Sequence, residues 1–361
     1  MSHSGEPDWL SKGLDHIWLP YAQMKTASRP TGVVATQGSR ITLADGRQLI
    51  DGVGSWWTAV HGYNHPVLIK AAKDQLDSVP HAMLGGLANE PAYRLAERLA
   101  EITPGDLAHV FFSESGSVAV EVAMKIAVQY WLNRTGERRT RFVSCLGGYH
   151  GDTFMTMSVC DPEEGMHSLF ADVLPAQHIV PLPQTEEGAA HLESVLETNS
   201  DIAAVMVEPL IQGAGGMRMH DAATLRALRE ICDRQGVLLI FDEIFTGFGR
   251  TGAMFAAEKA GVSPDIMTLG KALTGGITPL AATIASEAVF AAFYDEDPGH
   301  ALMHGPTYSG HATGCAVANA SLDLFAAEPR LEQVAQIEAQ LKSALEPLLE
   351  LPAVDDVRVM G

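Results

Sequence analysis

Four short stretches of the sequence place reactive or anion-binding side chains just after apolar runs. Lys271 follows DIMTLG, while Asp242 and Glu243 follow VLLIF. A lysine that is partly removed from water loses basicity and becomes a nucleophile toward carbonyl carbons. A buried carboxylate stays charged only when it is paired or hydrogen-bonded, and a protonated ring nitrogen would satisfy it. Taken alone, each residue has a structural alternative: a solvated surface lysine, and a capping or salt-bridged carboxylate.

The other two stretches supply an anion-binding turn and an aromatic side chain. Ser115, Gly116 and Ser117 come shortly after HVFFS and open a predicted helix. Free backbone N–H groups and the positive end of the helix dipole bind anions there, although an ordinary serine N-cap is the alternative. The turn lacks the Gly-Lys-Ser/Thr of a P-loop, so it predicts a single phosphate. Tyr149 and His150 lie in LGGYHGDT, where an aromatic ring can cover a planar ligand.

Apolar strands alternate with helices from about residue 64 onward, which is typical of an α/β domain with a mainly parallel sheet. The predicted strands are HVFFS, RFVSC, AAVMVE, VLLIF, DIMTLG and LAATIA. They show little polar alternation, which indicates a sheet covered on both faces. Because ligands gather at the carboxyl ends of strands in such sheets, we expect the four stretches to meet at one edge.

The two ends of the chain predict a smaller α+β domain. VATQGSRITLADGRQLIDGV is typical of antiparallel strands around an Ala44-Asp45-Gly46 turn. Near the other end, RLEQVAQIEAQLKSALEPLLEL predicts an amphipathic helix and VDDVRVMG a strand. We therefore predict a large cofactor-binding domain over residues 64–316, with residues 1–63 and 317–361 forming the small domain.

Together the four stretches predict a site for pyridoxal 5'-phosphate. This cofactor needs a phosphate seat, a stacking aromatic ring, a carboxylate for its ring nitrogen and a lysine for its aldehyde. Its ring accepts electrons only while the nitrogen stays protonated, and Asp242 would provide the charge-assisted hydrogen bond. The candidate catalytic residues are therefore Lys271, Asp242 and Tyr149.

Composition narrows the class of protein further. The 361 residues are 47% hydrophobic and carry a formal net charge of −20, which disfavours nucleic acid and anionic membrane surfaces as partners. The four cysteines are widely separated, so we expect no disulfide framework and a cytoplasmic location. Neither a signal peptide nor a membrane-spanning stretch is recognisable. His61 and His65 have metal-ligand spacing, but Gly62 and Pro66 interrupt a helix there, so we predict no metal site.

Five motifs carry a resemblance to the class III aminotransferases of fold type I: ESGSVAVEVAMK, GGYHGDT, VEPLIQGAGGM, FDEIFTGFGRTG and LGKALTGG. They occur in the family's order, and the similarity spans nearly the whole chain. It implies a large domain with a mainly parallel, seven-stranded-type sheet between helices, plus a smaller α+β domain. IWLPYAQM, GSWWTAVHGYNHP, YHGDTFMTMSVCDPEEGMHSLF and MHGPTYSGHATGCAVANASL are most similar to members that use S-adenosylmethionine as amino donor and 8-amino-7-oxononanoate as acceptor, in biotin biosynthesis.

The resemblance also implies residue roles in a homodimer with shared active sites. Lys271 would hold the cofactor covalently, Asp242 would face its ring nitrogen, and Thr307 would reach the phosphate bound by the other subunit. The full set of cofactor contacts would be Ser115, Gly116, Ser117, Tyr149, Glu208, Asp242, Lys271, Pro306 and Thr307. The substrate contacts would be Tyr21, Trp56, Trp57, Tyr149, Gly305 and Arg250, the last of these near the substrate carboxylate.

Three features leave the substrate less well defined than the cofactor. Phe245 stands where the family usually has a small residue, and HATG at 311–314 replaces the commoner NPLA. Family members also continue past VRVMG with a second arginine for the substrate carboxylate, so we expect part of the substrate site to be missing or supplied from elsewhere. The alternatives that stay open are an ω-aminotransferase acting on ornithine, 4-aminobutyrate or β-alanine, an aminomutase on the same cofactor, and an inactive binding protein.

Overall fold

A seven-stranded sheet forms the centre of the computed structural model, which describes residues 7–162 and 168–361. The strand order is β4-β12-β11-β10-β7-β5-β6. Only β12 runs antiparallel to its neighbours among the described strands of this sheet. The predicted mainly parallel, seven-stranded sheet is therefore confirmed. Its strands are Leu107–Ser113 (β4), Arg141–Cys145 (β5), His178–Val180 (β6), Ile202–Val207 (β7), Leu238–Asp242 (β10), Ile266–Leu269 (β11) and Ala281–Ser286 (β12).

Helices cover this sheet, and several begin with a side-chain cap. Ser115 caps α5 and Asp221 caps α8, each accepting a backbone N–H of the first turn, and both helices end at a glycine with positive φ. The described helices are Asp8–Leu14 (α1), Gly54–Trp57 (α2), Pro66–Ser78 (α3), Glu90–Ile102 (α4), Gly116–Thr135 (α5), Phe154–Ser158 (α6), Glu186–Thr198 (α7), Ala222–Gln235 (α8), Ala256–Ala260 (α9), Glu287–Phe290 (α10), Ala312–Ala327 (α11) and Arg330–Leu345 (α12), with 3-10 turns at Ser168–Val173, Lys271–Thr274, Pro298–His300 and Glu346–Glu350.

Both faces of the sheet are buried, as the apolar strands predict. On β7, Val205 and Val207 belong to one core cluster, whereas Ala204 and Met206 belong to the other, which includes the buried face of α5. Strand side chains alternate between faces, so a strand covered on both sides has no polar position except at its ends. The chemically active residues consequently follow the strands.

Antiparallel strands and small elements fill the periphery. Val33–Gln37 (β1), Arg40–Leu43 (β2) and Gln48–Ile50 (β3) form the antiparallel sheet predicted near the N-terminus. Ile211–Gln212 (β8) and Arg218–Met219 (β9) form a short hairpin. The predicted strand in VDDVRVMG is wrong, because residues 354–361 form no ladder with any described strand. The division into domains at residues 63 and 316 stays a prediction.

Two sequence expectations touch residues outside the described part. The expectation of no signal peptide depends partly on residues 1–6, which lie outside the described residues. The motif YHGDTFMTMSVCDPEEGMHSLF includes residues 163–167, which also lie outside them. Within residues 7–162 and 168–361, the helices are too short or too polar to cross a bilayer.

Candidate active site

A cavity of about 180 Å³ lies where β4, β7 and β10 end. The strands β5, β7, β10 and β11 are mutually parallel, and β4 regains their direction through two antiparallel pairings with β12 as the middle strand. Their carboxyl ends therefore share one edge, and the four stretches that suggested chemistry meet there. The residues lining the cavity are Trp57, Ser115, Gly116, Ser117, Tyr149, His150, Gly151, Glu208, Ala214, Asp242, Ile244, Phe245 and Lys271.

Lys271 enters the cavity from a strained backbone position. It follows β11 and Gly270. Its φ of +45° is a left-handed value that residues other than glycine rarely adopt. Burial lowers the pKa of Lys271, and Arg250 adds to that shift, while Asp242 and Glu208 oppose it. Within the described residues its Nζ makes no hydrogen bond or ion pair, and it lies 5.5 Å from the centroid of the Trp57 ring. The amine is thus available to a ligand.

Asp242 is a buried carboxylate with a partner on each oxygen. His150 Nδ1 lies 2.8 Å from Oδ2, while Thr268 Oγ1 and the Ile244 N–H donate to Oδ1 at 3.1 and 3.2 Å. Burial by itself lowers the pKa of His150, but the hydrogen bond and the charge of Asp242 outweigh it, so the pKa is raised. His150 and Asp242 are thus paired through one carboxylate oxygen, and both line the cavity.

The N-terminus of α5, where the sequence predicts anion binding, lines the cavity. Ser115 Oγ accepts the Val118 N–H, whereas the N–H groups of Gly116 and Ser117 have no acceptor among the described residues. A Cβ on Gly151 would lie 2.3 Å from Ser117 Oγ, so the neighbouring loop approaches the seat as only glycine permits. Two free N–H groups at the start of a 20-residue helix suit a phosphate.

Glu208 holds the loop that carries the aromatic side chain. Its two oxygens accept the N–H groups of Tyr149 and Gly213, both at 3.0 Å. Burial, with Asp242 adding a smaller repulsion, raises the pKa of Glu208 to about 7. Glu208 therefore lines the cavity and also positions Tyr149.

Asp152 is a site residue that the sequence analysis missed. It accepts hydrogen bonds from the hydroxyls of Tyr149, at 2.9 Å, and Tyr21, while its own N–H donates to Ser117 Oγ at 3.1 Å. Burial, followed by hydrogen bonds with Tyr21 and Asp152, raises the pKa of Tyr149. The only sequence signal was a carboxylate three residues after the aromatic residue of GGYHGDT.

The two neighbouring tryptophans occupy different environments. Trp57 lines the cavity, whereas Trp56 is 61% exposed and does not. Both lie in α2, a left-handed turn in which all four residues have φ between 47° and 65°. The structure therefore brings only Trp57 to the cavity, and Tyr21 stands outside its lining, beside Asp152.

Arg250 is a largely buried cation without an anionic partner in the described residues. Its Nη2 donates to the Trp57 carbonyl at 3.5 Å, and burial is the sole cause that lowers its pKa. Arg250 does not line the cavity itself, but its positive charge contributes to the lowered pKa of Lys271. A carboxylate bound between these two residues would supply the missing counter-charge.

The 305–307 segment lies apart from this cavity. Gly305, Pro306 and Thr307 are absent from its lining, and Gly305 and Thr307 are exposed. The unusual HATG that follows has a structural role, because His311 Nδ1 accepts the Gly314 N–H at 3.2 Å and caps α11. The HATG sequence therefore affects how helix α11 begins.

The residues present fit pyridoxal 5'-phosphate. In the part of the chain that the structure describes, the N–H groups of Gly116 and Ser117 lack an acceptor and the Lys271 amine lacks a partner, and the Asp242 carboxylate borders the same cavity. The phosphate of the cofactor would accept from the two N–H groups, its aldehyde would react with the amine, and its protonated ring nitrogen would donate to the carboxylate. Elsewhere within the described ranges, no cluster of three His, Cys, Asp or Glu side chains is arranged to hold a metal ion.

Comparison with known proteins agrees with this site. The family model described as aminotransferase class-III matches residues 22–361. An adenosylmethionine-8-amino-7-oxononanoate aminotransferase from Mycobacterium leprae is 47% identical over 96% of this chain and 81% of its own length. The crystal structure of the enzyme of that name from Methanocaldococcus jannaschii is 35% identical, with a TM-score of 0.93 over 98% of this chain and 82% of the other. An amine transaminase from an uncultivated Pseudomonas species, solved in a PLP-bound form, is 37% identical, with a TM-score of 0.87 over 96% and 82% of the two chains.

Proposed function

This chain belongs to the class III aminotransferase family, and from that premise we propose that it transfers an amino group from S-adenosylmethionine to 8-amino-7-oxononanoate. The product would be 7,8-diaminononanoate, for biotin biosynthesis. The observation that carries the proposal is the 47% identity, over 96% of the chain, with a relative named for this reaction. Supporting it, one cavity combines a partnerless lysine, a buried carboxylate and an open helix N-terminus.

The enzyme uses pyridoxal 5'-phosphate, which when bound supplies an electron sink for the substrate carbon that carries the amine. Asp242 would accept the hydrogen bond of the ring nitrogen and keep it protonated, with His150 behind it. The N–H groups of Gly116 and Ser117 would bind the phosphate, and Tyr149 would cover the ring.

Lys271 would hold the cofactor and move the proton. Its Nζ would be the base that takes the proton from the substrate carbon and gives it up again, because it is the unpaired amine of this cavity within the described residues. The lowered pKa supports this role, because a desolvated amine is more often neutral and able to accept a proton. Both substrates use the same cavity in turn, so ping-pong kinetics follow.

Arg250 and Trp57 would orient the substrates. Arg250 is a desolvated cation close to Lys271 and has no carboxylate partner in the described residues, so a substrate carboxylate fits there. The indole of Trp57, 5.5 Å from Lys271 Nζ, would give a flat wall for a sulfonium group, worth about 0.5–2 kcal/mol. Tyr21 would contact the substrate from the side of Tyr149, since both tyrosine hydroxyls donate to Asp152.

The proposal includes a homodimer in the cytoplasm. Gly305, Pro306 and Thr307 lie outside their own chain's cavity, which supports a role for Pro306 and Thr307 at the phosphate of the other subunit and for Gly305 at its substrate. Four free, buried cysteines support a reducing compartment.

Spectral titration tests the donor. When S-adenosylmethionine is added to protein loaded with pyridoxal 5'-phosphate, the visible absorbance of the cofactor should bleach, and 8-amino-7-oxononanoate should restore it. Bleaching by ornithine, 4-aminobutyrate or β-alanine, but not by S-adenosylmethionine, would contradict the proposal and favour an ω-aminotransferase. Lys271→Ala is the control: it should retain the cofactor in equilibrium dialysis and show no absorbance of the covalently held form.

A further inference from the structure

Phe245 is a cavity residue, and the structure shows what its ring contacts. It is the third residue after β10, lines the cavity and is only 7% exposed. Its ring lies between two other parts of the chain, the loop at Gly213 and the left-handed turn that ends at Trp57.

Phe245 and Gly213 are sterically matched. A Cβ on Gly213 would lie 2.8 Å from Cδ1 of Phe245 and 3.1 Å from Cε1, which is closer than real side-chain contacts allow. The φ of Gly213 is outside the left-handed range, so glycine is needed there for space. The same residue donates its N–H to Glu208, so a displacement at 213 would reach the cavity wall.

Phe245 also orients Trp57. The two rings meet edge to face, with centroids 4.8 Å apart and an interplanar angle of 69°. Lys271 Nζ lies over the ring of the same Trp57, 5.5 Å from its centroid. The phenyl ring thus braces the indole that borders the reactive amine, and it closes the space on that side of the cavity.

We propose that Phe245 is a specificity-determining residue: matched to Gly213, it braces Trp57 and walls one side of the cavity against a ring attached directly to the reacting carbon. An unbranched chain beside the reacting carbon fits this wall, whereas a phenyl group does not. The proposal rests on the aminotransferase function proposed above and names the part of the chain that restricts its substrates.

A double-mutant cycle on the cofactor-free protein tests the match. Gly213→Ala should lower Tm by several degrees when residue 245 is Phe, and by less than half as much in the Phe245→Ala background. Phe245→Leu should give an intermediate coupling, because it fills part of the space without an aromatic edge. Equal losses of Tm in the two backgrounds would overturn the match.

Amine probes test the wall in the loaded enzyme. Benzhydrylamine carries a ring on each side of the amine carbon, so one ring must face position 245, whereas benzylamine can turn its single ring away. Phe245→Ala should raise the ratio of bleaching rates, benzhydrylamine over benzylamine, by at least about tenfold, and should raise the half-saturating concentration of S-adenosylmethionine by up to about tenfold. An unchanged ratio would overturn the proposal. If the wild-type enzyme is bleached by another amine but not by S-adenosylmethionine, the proposed donor is wrong. The ratio of the two bleaching rates would still test the role of Phe245.

Discussion

Asp242 and Lys271 face one cavity with opposite requirements. The carboxylate must stay charged although it is buried, and His150, Thr268 and the Ile244 N–H meet that need. The amine must lose its charge readily, and it has neither a hydrogen-bond acceptor nor an ion-pair partner within the described residues. The cavity therefore combines a hydrogen-bonded carboxylate with an amine whose pKa is lowered by burial, as acid–base chemistry at one site requires.

Asp242→Asn should lower the pKa of His150 below the ordinary value for histidine. The raised pKa depends on the carboxylate, and without it the burial of the ring is largely unopposed. NMR titration of the imidazole in cofactor-free protein measures this shift, and turnover of the loaded enzyme should fall by at least about 100-fold. Thr268→Val is the matched control, since it removes one donor to Asp242 and keeps the charge. A His150 pKa that remains raised in Asp242→Asn would contradict the pairing.

The sequence predicted the residues that line the cavity better than the residues that hold them in place. Lys271, Asp242 and the 115–117 turn lie at or just after the ends of strands, so strand prediction was enough to bring them together, whereas Glu208 was assigned by the resemblance. Asp152 was missed because its partners converge only in the folded chain: Tyr21 is 131 residues away in sequence. A hydrogen bond between distant segments leaves no local pattern.

At the scale of elements, Glu243 joins the end of β10 to α9. Its oxygens accept the N–H groups of Ala256 and Ala257, at 3.0 and 2.9 Å, and the hydroxyl of Thr246 at 2.5 Å. The loop closed in this way carries Phe245 and Arg250. The second carboxylate of FDEIF is therefore structural, while the first faces the cavity.

Glu243→Gln should remove a pH-dependent loss of stability. Burial raises the pKa of Glu243 to about 7, from 4.5. Between these values the folded state retains a proton that the unfolded state releases, so the free energy of unfolding falls as pH rises, by on the order of 3 kcal/mol in total. Above about pH 7 the contribution of Glu243 to the free energy of unfolding no longer changes with pH. Urea unfolding of cofactor-free protein across this range should show a shallower pH slope for Glu243→Gln than for wild type, and the exposed Glu186→Gln should keep the wild-type slope. Equal slopes for wild type and Glu243→Gln would contradict the assignment.

The left-handed turn at Gly54–Trp57 shows why some elements escape prediction. Left-handed backbone costs about 1–2 kcal/mol for each residue with a side chain, so GSWW carries no local preference for it. Asp51 stabilises the turn by accepting the N–H groups of Val53, Gly54 and Ser55. By contrast, the predicted strands over β4, β5 and β10–β12 agree with the structure, because burial on both faces leaves an apolar run in the sequence itself.

At the scale of the whole molecule, α5 connects the cavity to residues 300–303, which precede the 305–307 segment. Its N-terminus lines the cavity, and further along the helix three side chains donate to carbonyls of residues 300–303. Lys125 reaches Met303 at 2.6 Å, Gln129 reaches Ala301 at 2.8 Å, and Asn133 reaches His300 at 3.0 Å. Spaced by four residues, they lie on one face of the helix. The residues just before the segment that would serve the other subunit are thus held by the helix that would bind this subunit's own phosphate.

Subunit mixing can decide whether Thr307 acts across the dimer. Thr307→Ala should raise the Kd for pyridoxal 5'-phosphate by about 10-fold or more, because a hydrogen bond to a charged group is lost. Lys271→Ala should be inactive. In a hybrid dimer of these two variants, the only site with Lys271 would receive Thr307 from the Lys271→Ala chain, so that site would be intact.

Random exchange of equal amounts of the two variants makes half of the dimers hybrid, each with one intact site, so activity at limiting cofactor should return to about a quarter of wild type. Thr307→Ala mixed with the Lys271→Ala/Thr307→Ala double variant is the matched control, since it differs only at Thr307 of the chain without the lysine. If Thr307 served its own chain, the hybrid would contain no complete site, and both mixtures would stay equally weak. Recovery in the first mixture alone therefore requires that each cavity be completed by the other subunit.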